Sequence, residues 1–181
     1  MKKILFNSFL ILMTFATLTG CKRGEEDPFL SFRSRDSRVT GTWELKKATL
    51  VMTTTISTSG SLNTETYTIS IESGILTETG PGGSGGSSVY TREITLEKDG
   101  TYKATDNSDG YISEESGNWW WLNDSKNKTR LAFDDDYSSY LVEQLKNKEI
   151  ILTRSIYYKE TEPSGDWEEE TEELRMIYEK K

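Results

Sequence analysis

The chain has no histidine and a single cysteine, Cys21, among its 181 residues. One thiol cannot form a disulfide within the chain, whatever the redox compartment. Without histidine there is no Ser-His-Asp triad, no Cys-His dyad and no zinc site of the usual Cys/His type. Hydrophobic residues are sparse, at 34%, and no window carries them in a sustained helical stripe. Positive charge is in deficit: 22 Lys and Arg stand against 30 Asp and Glu, for a net charge of −8. A surplus of that sign repels phosphate backbones, so nucleic acid is not an expected partner. What the chain does have is 9 Tyr, 6 Phe and 5 Trp, and aromatic residues with threonine favour strands over helices.

The first residues read as an address. Lys2 and Lys3 form a positive start, and an apolar run follows from Ile4 to Leu18, broken by Asn7, Ser8, Thr14 and Thr17. That run is shorter than the roughly 20 apolar residues that span a bilayer, and it has the layout of a secretory signal. It ends in Leu18-Thr19-Gly20-Cys21, which resembles the lipobox of bacterial lipoproteins. The resemblance implies that residues 1–20 are removed and that Cys21 becomes the acylated first residue. Its thiol would carry diacylglycerol and its new amine a further chain. Each buried CH₂ contributes about 0.8 kcal/mol, so two chains already anchor stably. The implied partner is therefore a lipid bilayer, reached through Cys21.

Removing 20 residues from 181 leaves 161, enough for one domain with a real core. It also removes the charges of Lys2 and Lys3, taking the net charge from −8 down by two to −10. The next residues, Lys22-Arg23-Gly24-Glu25-Glu26-Asp27, resemble the surface-export signal of some Gram-negative lipoproteins, and read equally well as a solvated tether. Lys22 in second place, where enteric lipoproteins retained in the inner membrane carry Asp, points to the outer membrane, on its periplasmic face or at the cell surface. Residues 21–40 are expected as a lipidated tether. Phe29, Leu30 and Phe32 would dock it on the domain, and Arg33, Arg35 and Arg38 would form an intramolecular counter-surface on an acidic protein.

From Gly41 to the end the pattern is strand and turn. Trp43 and Leu45 alternate, then Ala48, Leu50 and Met52 alternate on the opposite parity, which predicts a bulge near Lys46-Lys47. Further stripes are Tyr67, Ile69 and Ile71; Tyr90, Ile94 and Leu96; Trp119 and Trp121; Leu131 and Phe133; Tyr140 and Val142; Ile150, Leu152, Ile156 and Tyr158; and Leu174, Met176 and Tyr178. Asp99-Gly100 is a hairpin signal, and Pro163-Ser164-Gly165 is a turn. The Gly/Ser-rich stretch 80–88 reads as a flexible loop and a candidate lid. The expected fold is all-β: an antiparallel up-and-down barrel of roughly eight to ten strands over residues 41–181. Trp43, Trp119, Leu131, Ile150, Leu152 and Met176 are expected in one core.

Gly41-Thr42-Trp43, Glu97-Lys98-Asp99-Gly100-Thr101-Tyr102, Gly117-Asn118-Trp119 and the run from Tyr140 to Leu152 occur in an order that resembles lipocalin-like domains. The resemblance covers about residues 41–180. It implies a barrel with a short N-terminal segment closing one end, and a basic side chain packed across Trp43. Arg154 and Arg175 are the candidates for that role. No cofactor is expected, and a barrel of about eight strands is wide enough either to be filled by side chains or to hold one small ligand, with a modest cavity near one mouth the favoured reading.

Candidate ligand contacts, by parity, are Tyr67, Tyr90, Tyr102, Trp119, Trp121, Tyr140 and Tyr158. For Trp119 and Trp121 the plain alternative is core packing, with Trp120 on the other face under the tether or a loop. The acidic runs Asp134-Asp135-Asp136, Glu168-Glu169-Glu170 and Glu172-Glu173 lack the spacing of a known Ca²⁺ loop and read as solvated charge. Catalysis is left only to carboxylates or Ser/Lys chemistry, and nothing in the sequence selects a pair. The chain therefore reads as a non-enzymatic lipoprotein that binds a small hydrophobic or amphipathic ligand or an envelope partner. The other readings are an assembly subunit of an envelope complex with a filled barrel, and a glycan-active enzyme.

Overall fold

A computed structural model describes residues 34–83, 85–122, 128–134 and 139–181. The signal segment 1–20, Cys21, most of the tether with Arg33 and its three aromatic or apolar neighbours, and Asp135 and Asp136 lie outside the described residues.

Among the described residues, ten antiparallel strands close into a barrel. They are β1 (Gly41–Thr58), β2 (Ser61–Glu72), β3 (Ile75–Thr79), β4 (Ser87–Leu96), β5 (Thr101–Ser108), β6 (Tyr111–Trp121), β7 (Arg130–Phe133), β8 (Ser139–Leu145), β9 (Glu149–Thr161) and β10 (Trp167–Lys180). Each strand pairs with its neighbours in sequence, and β1 closes the ring against β10. The one α-helix among the described residues, α1 (Arg35–Val39), precedes β1. The all-β, up-and-down expectation is met.

The alternating stripes decide which way each strand faces. Along β1 the register shifts between Leu45 and Lys47, where the parity break predicted a bulge. Trp43 and Leu45 face inward before it, and Ala48 and Leu50 after it. The bulge is also a change of partner. Gly41 to Glu44 pair with β4, whereas residues from Lys47 onward pair with β2. The lower end, nearest α1, is thus ringed by eight strands, and the β2–β3 hairpin widens the wall above it. The Asp99-Gly100 turn joins β4 to β5 as expected, with the Asp99 carboxylate accepting from the Thr101 amide at 3.0 Å and hydroxyl at 2.7 Å.

The core holds five of the six residues named from sequence, Trp43, Trp119, Leu131, Ile150 and Leu152, with Met176 half-buried against them. The helix α1 closes the lower end. Ser34 caps it through the Ser37 amide. Arg35 is buried and donates to the Lys128 carbonyl at 2.5 Å, and Arg38 is buried and donates to the Leu145 carbonyl. Those two arginines are an intramolecular counter-surface, as their place on an acidic chain suggested. They donate to the carbonyls of Leu145, at the end of β8, and of Lys128, just before β7, as buried backbone acceptors require. The last part of the stretch drawn as tether therefore belongs to the barrel.

Both Gly-x-Trp triplets have a steric reason for their glycine. At Gly41, with φ of +124°, a Cβ would overlap the Lys180 side chain. At Gly117 a Cβ would fall on the Asp134 carboxylate, which accepts from the Asn118 amide at 2.8 Å and from its side-chain amide at 2.7 Å. Asp134, read from sequence as solvated, ties β6 to the end of β7.

Strand lengths are unequal, and this shapes the open end. β1, β9 and β10 run 18, 13 and 14 residues, but β7 and β8 run 4 and 7. The upper parts of β1, β2, β9 and β10 stand above the closed ring as a sheet whose inner face continues the barrel interior. Residues 80–83 and 85–86 form the β3–β4 turn. Glu78 donates its amide to the Gly86 carbonyl at 2.9 Å, and none of these turn residues lines the cavity. The loop is a hairpin connection pinned to β3, not the lid that its composition suggested.

Candidate functional site

The barrel interior holds a cavity of about 280 Å³. Its lower wall is apolar, built from Trp43, Leu45, Leu96, Leu131, Ile150 and Leu152. Higher up, Leu50, Ile69, Ile71, Leu174 and Met176 form one side and Tyr90, Tyr102, Phe133 and Tyr140 the other. Tyr102 and Phe133 meet edge to face at 5.0 Å, and Phe133 and Tyr140 at 6.0 Å, so three rings form one connected wall.

Polar groups gather at the upper level. Arg92 on β4 donates to Asp106 on β5 at 3.0 Å and lies 3.9 Å from Glu115 on β6. Tyr90 donates its hydroxyl to the same Asp106, and Tyr102 donates to Glu115 at 2.7 Å. A second pair stands on the opposite wall. Arg154 on β9 pairs with Glu172 on β10 at 2.5 Å and lies 5.4 Å from the centre of the Tyr140 ring. The arrangement is an apolar well beneath a ring of hydrogen-bonded charge.

The environment perturbs several of these groups. Burial would lower the Arg92 guanidinium, but Tyr178, Asp106 and Tyr90 around it more than offset this and hold its pKa above the ordinary value. Burial pushes the Tyr178 hydroxyl up to about 12. Burial and then the Asp106 carboxylate push Tyr90 up to about 12. In the unfolded chain both titrate near 10, so the folded state holds these protons more tightly. The stability they contribute is full below about pH 10 and is lost as pH rises toward about 12. For Tyr178 the loss reaches about 2–3 kcal/mol, and for the half-buried Tyr90 it is smaller. Thermal unfolding followed across that range should show a falling melting temperature together with tyrosinate absorbance. The fall should be shallower in Tyr178→Phe; equal slopes in the two proteins would contradict the assignment.

Of the seven residues proposed as ligand contacts, three line the cavity: Tyr90, Tyr102 and Tyr140. Trp119 and Trp121 do not. They are 7% exposed, meet edge to face at 6.3 Å, and pack beneath the helix end of the barrel. Trp119 donates to the Glu97 carbonyl at 3.0 Å, Trp121 donates to Asp36 at 2.7 Å, and Arg35 lies 5.5 Å from the Trp121 ring. They are core residues, and the contact role is corrected. Trp120 takes the other face and is 43% exposed.

Tyr67 and Tyr158 also fall away as cavity contacts. Both have inward parity, but they sit on the sheet above the closed ring, 43% and 53% exposed. Their hydroxyls donate to Glu65 at 3.5 Å and to Glu160 at 2.9 Å.

Neither arginine proposed for the barrel end packs on Trp43. The cation there is Lys180, whose Nζ lies 4.9 Å from the ring and donates to the Arg38 carbonyl at 3.1 Å and the Thr40 carbonyl at 2.5 Å. The register explains it: Trp43 pairs directly with Lys180 across the β1–β10 closure. Arg154 belongs to the upper cavity. Arg175 is on the outer face, 3.2 Å from Glu143. Trp43 itself is fully buried and donates to the Val39 carbonyl at 2.7 Å, which makes it the barrel-end plug expected of it.

Sequence reasoning missed Arg92, Asp106 and Glu115. The signal was present: each stands on the inward parity of its strand, two residues from Ile94, Ala104 and Gly117 respectively. No group of three His, Cys, Asp or Glu side chains among the described residues is placed to hold a metal ion. No protein-family model matches the chain, and neither a curated protein nor a solved structure matches it.

Proposed function

We propose that this protein is a lipocalin-like bacterial lipoprotein, held at the outer membrane of a Gram-negative cell by acylated Cys21, that binds a small hydrophobic or amphipathic molecule in its barrel without chemically altering it. The observation that carries the binding reading is the cavity of about 280 Å³, apolar below and ringed by a few converging polar groups above. Ligand sites of small barrels have this composition. A side-chain-filled interior would favour an assembly subunit; the open well favours ligand binding. The carboxylates beside the cavity support binding over catalysis: Asp106 and Glu115 are engaged with Arg92 and with tyrosine hydroxyls.

A solvatochromic apolar fluorophore titrated into the protein tests this reading. Saturable one-to-one binding is expected. Leu50 lines the cavity, and Leu50→Trp fills part of it, so that variant should bind at least about tenfold more weakly while remaining folded by circular dichroism. Equal binding by both proteins would place the probe outside the barrel and refute the cavity as the site.

A further inference from the structure

The charges around the cavity select among amphipathic ligands. We propose, building on the cavity-binding reading above, that the preferred guest is a cationic amphiphile: an apolar body in the well and an ammonium group at the level of Glu115 and the aromatic wall.

Three observations converge on that sign. First, both guanidinium groups at the upper level already face carboxylates. Arg92 stands between Asp106 and Glu115, and Arg154 is held by Glu172. At this level three carboxylates, Asp106, Glu115 and Glu172, face two guanidinium groups, so the balance is one negative charge, which repels an anionic head and attracts a cationic one in a partly dehydrated site. Second, the inner wall offers what a cation seeks. Glu115 lines the cavity beside the connected rings of Tyr102, Phe133 and Tyr140. Aromatic faces with an adjacent carboxylate are the usual surroundings of bound ammonium groups. The protein's own Arg154 stacks on Tyr140 in this way, 5.4 Å from the ring centre.

Third, the approach to the cavity carries one sign. Register places three rows on the inner face of the sheet above the closed ring. They are Ile156-Glu172-Met52-Tyr67, Tyr158-Glu170-Thr54-Glu65 and Glu160-Glu168-Ile56-Asn63. Among these described residues there are five glutamates and no lysine or arginine; Glu172 is paired with Arg154 below it, and the other four set the field. The apolar and aromatic members of the same rows pass an alkyl body, while the glutamates attract its cationic end and repel an anionic one. The acidic face sets the approach field; the cavity and its rings set the site.

The test uses three probes with one octyl chain and different heads: octyltrimethylammonium, octanol and octyl sulfate, each below its micellar concentration. They are titrated calorimetrically into the mature chain, residues 21–181 carrying Cys21→Ala, so that neither an acyl chain nor the apolar run from Ile4 to Leu18 competes. The cation should bind at least about tenfold more tightly than the sulfate, with octanol between them. Glu115→Gln keeps an acceptor for the Tyr102 hydroxyl and should bring the cation down to the affinity of octanol. Added salt should weaken the cation and leave octanol unchanged, a readout on the unaltered site that stands even where Glu115→Gln fails to fold. Equal affinities, or tighter binding of the sulfate, would overturn the charge preference and leave the cavity reading in place. No saturable binding of any probe, octanol included, would overturn both.

Discussion

Trp43→Ala should destabilise the barrel by about 3–5 kcal/mol. The indole is fully buried, forms the floor of the cavity and donates to the Val39 carbonyl at 2.7 Å. It also carries Lys180, whose ammonium lies 4.9 Å from the ring. Truncation removes the packing of a large ring, strands a buried carbonyl, and leaves a cation with its aromatic partner gone. Collapse around the loss is resisted because α1 is tied to the barrel by hydrogen bonds from Arg35 to the Lys128 carbonyl, from Arg38 to the Leu145 carbonyl at the end of β8, and from Lys180 at the end of β10 to the Arg38 and Thr40 carbonyls. Urea unfolding followed by circular dichroism measures the change directly. Trp43→Phe should recover part of the packing but not the hydrogen bond, and should fall between the two. A cost below about 1 kcal/mol for the alanine variant would mean that the lower end is not a structural plug.

Cys21→Ala, in the chain from residue 21 onward so that the apolar run from Ile4 to Leu18 is absent, should abolish the membrane association that acylation provides. The proposed anchor is a set of acyl chains, each methylene contributing about 0.8 kcal/mol, and two chains suffice for stable attachment. No helix among the described residues is long and apolar enough to cross a membrane, and the chain's net charge of −8 opposes attachment to anionic lipid. In vesicle flotation the unaltered protein should rise with the lipid and the variant should remain in the soluble fraction. Intact-mass analysis of the unaltered protein should give a chain beginning at Cys21 with added acyl mass. A membrane-bound chain that still begins at Met1 would contradict the proposed processing.

Much of the barrel was legible because a strand's period of two is local. The parity change around Lys46-Lys47 located the bulge, and Asp99-Gly100 located a hairpin, from a few residues each. What was not legible depends on where distant strands stop. Tyr67 and Tyr158 have the inward parity that suggested ligand contact, but parity says only which face a side chain takes. Whether that face looks into a cavity depends on an opposite wall at the same height, and β7 and β8 are too short to supply one. Lys180 escaped for a related reason. Its place over Trp43 is created by the β1–β10 closure, which joins residues 43 and 180. Trp119 and Trp121 were correctly placed on one inward face, but the indole partners of that face are Asp36 and Arg35 of the short helix, not a ligand. Arg92, Asp106 and Glu115 are different: parity alone places them inward, and a charged residue on an inward stripe was the overlooked mark of the site.

Native mass spectrometry of the protein purified from its own host tests the central claim, that the barrel is a receptacle, most directly. The account predicts a discrete added mass from one small molecule, released on collisional activation and absent from Leu50→Trp. A single unliganded mass for the unaltered protein, under conditions gentle enough to keep a known fluorophore bound, would contradict it.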